Sequence, residues 1–306
     1  MKARYLLSLI LLISLYVPTS IFAQTAVVGA WNIQWLGTPE QRPNIAKGRA
    51  QKAEDIADYI IESGVDVLGL EEISDDDGVN GTYTNKTITR ALQVIRNKTG
   101  QIWQYVLFPK RSGKTQLAGF AWNRNKARFI GQRKIPIDNS GGGAAWDRHP
   151  YAVKLSFGQG KTDAVFIVVH MKSNVGGAAV TRPQRAREAR LLVEQLDFIR
   201  TFYDDEDIVI MGDTNVLSGQ EEAVTTYVNS GFLDLNSENT PTTKEGDAPF
   251  DRIFVPEGQN EFQGSTMRVF RNDFLSSHSL SADTFFVRFS DHFMVTTRIN
   301  VSKDDD

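Results

Sequence analysis

Short apolar segments rich in β-branched residues alternate with amphipathic helical segments along this chain, and this alternation restricts its fold most strongly. Residues 49–63 predict a helix with Ile56 and Ile60 on one apolar stripe, and residues 65–70 after them predict a buried strand. The longest helix is predicted over residues 182–202. The many strands favour an α/β chain over a helical bundle. Further strands are predicted at 27–33, 105–109, 119–123, 152–157, 164–170, 207–212, 252–255 and 293–299.

The N-terminal segment has the pattern of a secretory signal peptide over residues 1–23. Lys2 and Arg4 precede an apolar run at 5–17, which Pro18 and the small residue Ala23 follow. That run is shorter than the roughly 20 residues that cross a bilayer. We therefore expect a secreted or periplasmic protein without stable membrane association. A retained N-terminal anchor is the alternative, because Ile21 stands where a small residue is usual before the cleavage site.

Residues 24–302 carry no Pro/Ser-rich linker, and we expect them to form a single domain of a monomeric protein. Residues 303–306 are expected to be an acidic tail, in which Asp304 to Asp306 are expected to be disordered. The chain has no cysteine, so disulfides do not stabilise it. The formal net charge of −3 becomes −5 once the positive charges of Lys2 and Arg4 are removed with the signal peptide. This balance argues against a broad basic surface, so any contact with DNA must be local.

Ionisable side chains fall at the ends of several apolar strands, where an α/β fold usually delivers them into a crevice. Taken singly, such residues are usually turn residues or helix caps. Together they predict a shared cleft with carboxylates for a hard divalent cation such as Mg²⁺. Strand alternation predicts that adjacent Glu71 and Glu72 face opposite sides, so that only one enters the cleft. The strand-end groups are Glu71–Glu72, His170, Asp213–Thr214–Asn215 and Asp291–His292.

Six short motifs, in order along the chain, resemble those of the endonuclease/exonuclease/phosphatase family. They are Trp31–Asn32–Ile33–Gln34, residues 68–73, residues 169–173, residues 212–215, residues 250–253 and Ser290–Asp291–His292. The resemblance implies an α/β four-layer sandwich, in which two packed mixed β-sheets carry helices on their outer faces. Residues 250–253 and 147–150 are similar to stretches of the pancreatic-type deoxyribonuclease branch.

Carried over by position, the resemblance implies that Glu72 binds the catalytic metal with Asp291 in the same shell, and that Asn32 orients metal and phosphate. The metal is expected to be Mg²⁺, with Mn²⁺ as the alternative. Asp213 and Asn215 would hold the nucleophile and the scissile phosphate.

The resemblance also implies the acid–base and phosphate-binding roles. His292 would take a proton from the attacking water and be oriented by Asp251. His170 would stabilise the transition state or protonate the leaving oxygen, and Arg148 would contact phosphate. Because Asp291 and His292 cannot both face the site from a regular strand, we expect them in a turn before the last strand.

The chain departs from the family pattern at two positions. Glu71 stands where the family more often has Gln, so it either adds negative charge near the metal or points away; alternation favours the second. Gln116 occupies a place where the deoxyribonuclease branch has a Glu that supports the first catalytic histidine, which leaves His170 with a weaker partner.

Two further segments have a functional and a plain interpretation. The acidic run at 75–78 fits a structural Ca²⁺ loop but is more typical of a solvated loop. Arg182 and Arg185 open the long predicted helix and would reach a DNA backbone, although a solvated face paired with Glu188 and Glu194 is the favoured interpretation.

The motifs, the predicted signal peptide and the Arg148 segment favour a secreted DNA endonuclease of low sequence specificity, with RNA retained as another substrate. A sphingomyelinase or small-molecule phosphoesterase with the same site is the alternative. It would require an exposed apolar hairpin for a lipid substrate, for which 274–275 and 285–286 are the candidates and are easier to interpret as core strands. A binding module without catalysis is the third hypothesis, which the complete set of acids and histidines disfavours.

Overall fold

The structure is a computed structural model that describes residues 25–37, 51–74, 83–109, 116–138, 146 and 148–304. Within these ranges twelve strands form two six-stranded sheets. The first sheet contains β1 (Thr25–Leu36), β2 (Val67–Ser74), β3 (Trp103–Leu107), β4 (Gln116–Asn123), β11 (Arg268–Val269) and β12 (Val295–Asn300). The second contains β5 (Arg128–Lys134), β6 (Tyr151–Ser156), β7 (Asp163–His170), β8 (Ile208–Asp213), β9 (Phe232–Asp234) and β10 (Asp251–Pro256).

Each sheet has one parallel pair at its centre and antiparallel pairs elsewhere. The spatial orders are β11-β12-β1-β2-β4-β3 and β5-β6-β7-β8-β10-β9, with β1 parallel to β2 and β7 parallel to β8. The two sheets pack face to face over an apolar layer that includes Val28, Phe120, Phe166 and Met211. The carboxyl ends of four central strands are therefore available to build one site.

Helices cover the outer face of each sheet. The helices are α1 (Ala53–Ser63), α2 (Lys86–Thr99), α3 (Ala178–Val193), α4 (Leu196–Tyr203), α5 (Glu222–Val228), α6 (Asn272–Ser277) and α7 (Ala282–Arg288). Ile56 and Ile60 of α1 are buried against the first sheet, as their stripe predicts, and Ala189 and Leu192 of α3 are buried against the second. The predicted four-layer sandwich is therefore confirmed.

One prediction about local structure is corrected. The helix expected over residues 182–202 is two helices, α3 and α4, which a turn at Glu194 and Gln195 separates. At the start of the predicted acidic tail, the Lys303 carbonyl accepts a hydrogen bond from Thr162 Oγ1 at 3.0 Å. The Asp304 carboxylate lies within 4.8 Å of those of Asp207 and Glu261, at the amino end of β8.

Several predictions concern segments outside the described residues: the signal peptide over 1–23, the acidic run at 75–78 and Asp147. None of the described helices is long and apolar enough to span a membrane.

Candidate active site

The carboxyl ends of β1, β2, β7 and β8 converge, and one amide joins the two sheets there. Asn32 Nδ2 lies 3.2 Å from Glu72 Oε1 and 3.1 Å from Asp213 Oδ2, so it donates toward carboxylates of both sheets. His170 Nε2 lies 3.6 Å from Glu72 Oε1 and 3.5 Å from Asp213 Oδ2. Four residues that lie far apart in sequence thus share one space of a few ångströms.

His292 faces the same space from the other side and is held by Asp251, the first residue of β10. His292 Nδ1 lies 2.8 Å from Asp251 Oδ2, and that oxygen also accepts a hydrogen bond from Thr242 Oγ1 at 2.5 Å. His292 Nε2 lies 3.8 Å from Asp213 Oδ2. Because Asp251 binds the Nδ1 proton, Nε2 is the nitrogen that faces the site.

The turn that carries Asp291 and His292 is fastened to β1. Ser290 Oγ donates to the Asn32 carbonyl at 2.6 Å, and Trp31 Nε1 donates to the His292 carbonyl at 3.0 Å. The strand β12 begins only at Val295. The expected turn is therefore present, and it lets both adjacent side chains serve the site.

The alternation argument for Glu71 and Glu72 is wrong, because β2 contains a bulge at this point. Glu72 has a φ of 55°, in the left-handed region, and the register of β2 shifts between Leu70 and Ile73. Both carboxylates consequently reach toward the second sheet. Glu72 Oε1 lies near His170, whereas the oxygens of Glu71 lie 3.1 and 3.0 Å from the Asp213 backbone nitrogen.

Glu71 is fully buried, and its burial, followed by the nearby Asp213 carboxylate, raises its pKa well above the usual value. Both Glu71 oxygens accept from the Asp213 backbone nitrogen, so Glu71 contacts the end of β8 rather than pointing away.

Gly212 is required by this arrangement. A Cβ atom at this position would lie 2.2 Å from the Val169 carbonyl oxygen and 2.8 Å from Glu71 Oε1, and the φ of Gly212 is +135°. The glycine before Asp213 thus lets the two sheets approach at the site.

Arg148 lies beside the histidines and is oriented by Gln116. Its Nε and Nη2 donate to Gln116 Oε1 at 3.0 and 2.9 Å. Gln116, expected as a weaker partner of His170, is therefore a partner of Arg148 in the structure. The guanidinium is near enough to His170 to affect its charge: burial and then Arg148 hold the pKa of His170 well below its usual value.

The pKa of His292 is shifted in the opposite direction to that of His170. Burial disfavours the imidazolium, but the carboxylates of Asp251 and Asp213 outweigh it and hold the pKa of His292 well above its usual value. The two imidazoles of the site thus differ in proton affinity, as acid and base groups of catalytic sites often do.

Asn215 is fixed on the β8 side of the site. Its backbone nitrogen donates to Asp213 Oδ1 at 2.9 Å, and its Nδ2 donates to the Met171 carbonyl at 3.2 Å. Its φ of 54° lies in the left-handed region, a conformation that persists when the surroundings fix it.

A family model described as the endonuclease/exonuclease/phosphatase family matches residues 29–292. The chain belongs to this family. Its members are hydrolases of phosphoester bonds and generally depend on divalent metal ions. No curated protein sequence matches the chain significantly.

Several solved structures share the fold at low sequence identity. Human nocturnin with bound sulfate is 15% identical, with a TM-score of 0.58 and coverage of 90% of this chain and 94% of that one. D. rerio TDP2 with a single-strand DNA product is 14% identical, with a TM-score of 0.53 and coverage of 90% and 99%. A mannosyl-6-phosphatase of Bacteroides thetaiotaomicron is 13% identical, with a TM-score of 0.56 and coverage of 90% and 99%.

The oxygen donors at the β1–β2 side fit the divalent metal of the family. Burial and then the Asp291 carboxylate raise the pKa of Glu72 to about 7, because both disfavour its charged form. Gln34 Nε2 donates to Asp291 Oδ2 at 2.5 Å, and its Oε1 is buried without a hydrogen bond among the described residues. Carboxylate and amide oxygens are hard ligands that suit Mg²⁺.

Sequence reasoning missed several residues that shape the site. Gln34 and Thr242 contact Asp291 and Asp251 through long-range pairs that no local pattern reveals. Arg185 is fully buried and pairs with Glu221, so it cannot reach a DNA backbone, and Glu188 accepts a hydrogen bond from the Lys172 backbone nitrogen. Arg182 remains half exposed, with a side-chain accessibility of 52%.

Proposed function

We propose that this protein is a secreted, metal-dependent phosphodiesterase of the pancreatic-type deoxyribonuclease branch, which cleaves DNA internally with little sequence preference. The observation that carries the proposal is the His292–Asp251 pair, which faces Asp213 and stands across from His170 in one cleft. This arrangement places a proton acceptor and hydrogen-bond donors around the space where a phosphate would lie.

Glu72 and Asp291 would hold Mg²⁺, or Mn²⁺, with Gln34 beside them. When bound, the cation neutralises phosphate charge and stabilises the negative charge that develops in the transition state. Asn32, which donates toward both Glu72 and Asp213, orients these carboxylates relative to each other.

The chain's own groups activate the attacking water. A water positioned by Asp213 and Asn215 attacks phosphorus, and His292 Nε2 takes its proton while Asp251 stabilises the resulting imidazolium. The new P–O bond forms as the bond to the leaving oxygen breaks, and solvent water protonates the leaving oxygen. A cation held by Glu72 and Asp291 would lower the pKa of His292, because it would offset the Asp291 carboxylate, the last of the charges that raise this pKa.

His170 is better suited to donate a hydrogen bond than to deliver a proton. Its pKa is held well below the usual value, first by burial and then by Arg148, so the imidazole is neutral at neutral pH. A neutral His170 and the cationic Arg148 would together stabilise the charge on the equatorial oxygens of the phosphoryl group.

Local cations support a nucleic acid as substrate. Arg148 lies at the site, and Lys172 and the half-exposed Arg182 lie on segments that follow β7. The TDP2 structure with single-strand DNA product shows that a protein of this fold binds DNA.

The candidate lipid-contacting residues do not support a sphingomyelinase, because Phe274 and Phe285 are buried in helices α6 and α7 rather than exposed on a hairpin.

A substrate panel tests the proposal. Purified protein in Mg²⁺ should convert supercoiled plasmid to nicked and linear DNA, and chelator should abolish the reaction. The rate should fall steeply with salt, because bound phosphates release counterions. Intact plasmid together with hydrolysis of a sugar phosphate, RNA or sphingomyelin would overturn the DNA assignment and keep the phosphoesterase chemistry.

Export is tested separately from chemistry. N-terminal sequencing of protein recovered from the medium or periplasm should begin at Gln24. A cell-retained chain that begins at Met1 would contradict the secreted assignment.

A further inference from the structure

Arg185 on α3 is a fully buried arginine that the proposed reaction does not use. Its Nη1 donates to the Lys172 carbonyl at 3.2 Å and to Asn174 Oδ1 at 3.1 Å, and its Nη2 donates to Glu221 Oε2 at 2.8 Å. Lys172 and Asn174 belong to the loop that follows β7, and Glu221 ends the loop that follows β8. One guanidinium therefore joins the two loops.

These two loops bring His170 and Asn215 to the active site. His170 directly precedes the first loop, and Asn215 opens the second. Asn174 Nδ2 donates to the Asn215 carbonyl at 2.9 Å, so Asn174 connects the guanidinium of Arg185 to the backbone of Asn215. The side chain of Asn215 returns to the first loop at the Met171 carbonyl.

Glu221 adds a second connection within the β8 loop. Its Oε1 accepts from the Leu217 backbone nitrogen at 3.0 Å, while its Oε2 accepts from Arg185. The Glu221 carboxylate thus makes one contact within the β8 loop, to Leu217, and one contact to Arg185, which bonds to the β7 loop.

A buried ion pair is often no more stabilising than an apolar replacement of similar size. The contacts of Arg185 are instead directional, since a guanidinium presents its donors in a fixed planar fork. They end at Asn215, whose backbone carbonyl accepts from Asn174 and whose side chain donates to the Met171 carbonyl. Arg185 therefore orients the loops after β7 and β8 relative to each other.

We propose that Arg185 is a positioning residue, which acts through Asn174 and Glu221 to set Asn215 relative to His170. This inference rests on the proposed phosphodiesterase function. Arg185 contacts neither the substrate nor the metal. Replacing Arg185 should therefore lower kcat more than it raises KM.

Asn174→Ala is the sharpest variant, because Arg185 keeps its contacts to Glu221 and the Lys172 carbonyl when Asn174 is shortened. With bis(p-nitrophenyl) phosphate and saturating Mg²⁺, we expect kcat to fall by about 10-fold, since small misplacements of reacting groups carry costs of this order. The KM and the thermal unfolding midpoint should change little. Arg185→Met should lower kcat further.

Lys154→Met is the matched control. Lys154 is a buried cation of the same sheet, which pairs with Asp163 and Asp205 at 2.8 and 3.1 Å near the opposite ends of β7 and β8. Its loss should lower the unfolding midpoint as Arg185→Met does, but it should leave kcat unchanged.

A double-mutant cycle separates positioning from general stability. Because Asn174 acts through Asn215, Asn174→Ala should cost much less in an Asn215→Ala background than in the wild type. Equal costs in both backgrounds, or an Asn174→Ala variant with wild-type kcat, would overturn the inference while leaving the proposed function intact.

Hydrogen exchange gives a readout that does not depend on activity. Arg185→Met should accelerate amide exchange in residues 171–177 and 214–221 together, and Lys154→Met should not. Unchanged exchange in either loop would overturn the inference. A wild-type protein without phosphoesterase activity would contradict the proposed function, and the exchange experiment would still decide whether Arg185 joins the loops.

Discussion

His292 and Asp251 lie 41 residues apart in sequence, yet Nδ1 of the imidazole is 2.8 Å from Oδ2 of the carboxylate in the buried wall of the cleft. The carboxylate is itself fixed, because Thr242 donates to it from its side chain. This pair leaves Nε2 directed at Asp213, and it defines which nitrogen exchanges protons with the substrate water.

Asp251→Asn should lower kcat by about 10²- to 10⁴-fold, because an amide can donate to Nδ1 and thereby favour the wrong tautomer of His292. Steady-state kinetics with a chromogenic phosphodiester measures the effect, and thermal unfolding shows whether the variant folds. A variant with wild-type kcat would remove His292 from the role of general base.

Metal binding should depend on pH through Glu72. Its pKa of about 7 is raised by burial and then by Asp291, above the ordinary value of 4.5. The stability that its proton contributes to the metal-free fold is fully present below the ordinary pKa and is lost as pH rises through about 7. Since the cation competes with this proton, Mg²⁺ should raise the unfolding midpoint more at about pH 8 than at about pH 6.

Glu72→Gln is the control for that prediction, because it removes the competing proton and should abolish the pH dependence of the metal-induced shift. A shift that is equal at both pH values in the wild type would contradict the assignment of Glu72 as a ligand. Thermal unfolding followed by fluorescence measures both proteins.

Gly212→Ala should destabilise the fold strongly. The added Cβ would meet the Val169 carbonyl and Glu71, and Ala at positive φ adds strain of about 1–3 kcal/mol, with overpacking of similar size. Chemical denaturation measures the loss. Gly131→Ala in β5 is the matched control, because nothing lies within 4 Å of its Cβ position, and it should be nearly neutral. Similar values for the two variants would contradict the packing at the site.

Arg148→Met should lower kcat/KM by about 10- to 100-fold, because a charge-assisted hydrogen bond to phosphate contributes about 1.5–3 kcal/mol. Gln116→Ala should cause a smaller loss, since the charge remains but the plane of the guanidinium is no longer held. Arg128 is exposed, and Arg128→Met is the control for a general loss of positive charge. A Gln116→Ala variant that is more impaired than Arg148→Met would favour a role for Gln116 at His170 instead.

The sequence supported prediction of the strands and helices and of the turn at Asp291, because both follow from short-range rules. Apolar periodicity shows strands and helices, and two adjacent side chains that serve one site cannot come from a regular strand. The order of the motifs predicted the four-layer sandwich and the roles of the site residues by resemblance to the family. The family match over residues 29–292 confirms the family.

What could not be predicted depends on contacts between distant residues. The bulge at Glu72 makes strict alternation fail, and nothing in the local string of apolar and acidic residues indicates it. The same holds for the Gln34–Asp291 contact, which spans 257 residues, and for Gln116, whose partner is decided by where β4 lies relative to Arg148. Arg185 is predicted to be a surface residue because Arg182, Arg187 and Glu188 lie within three residues of it, yet tertiary packing buries it.

The most direct test of the account compares plasmid cleavage by the wild type and by His292→Ala, each in Mg²⁺ and in chelator. The account predicts nicking by the wild type in Mg²⁺ alone and a loss of about 10²-fold or more in the folded variant, because the general base is gone. Equal cleavage by the two proteins, or cleavage that persists in chelator, would contradict a metal-dependent site built around His292.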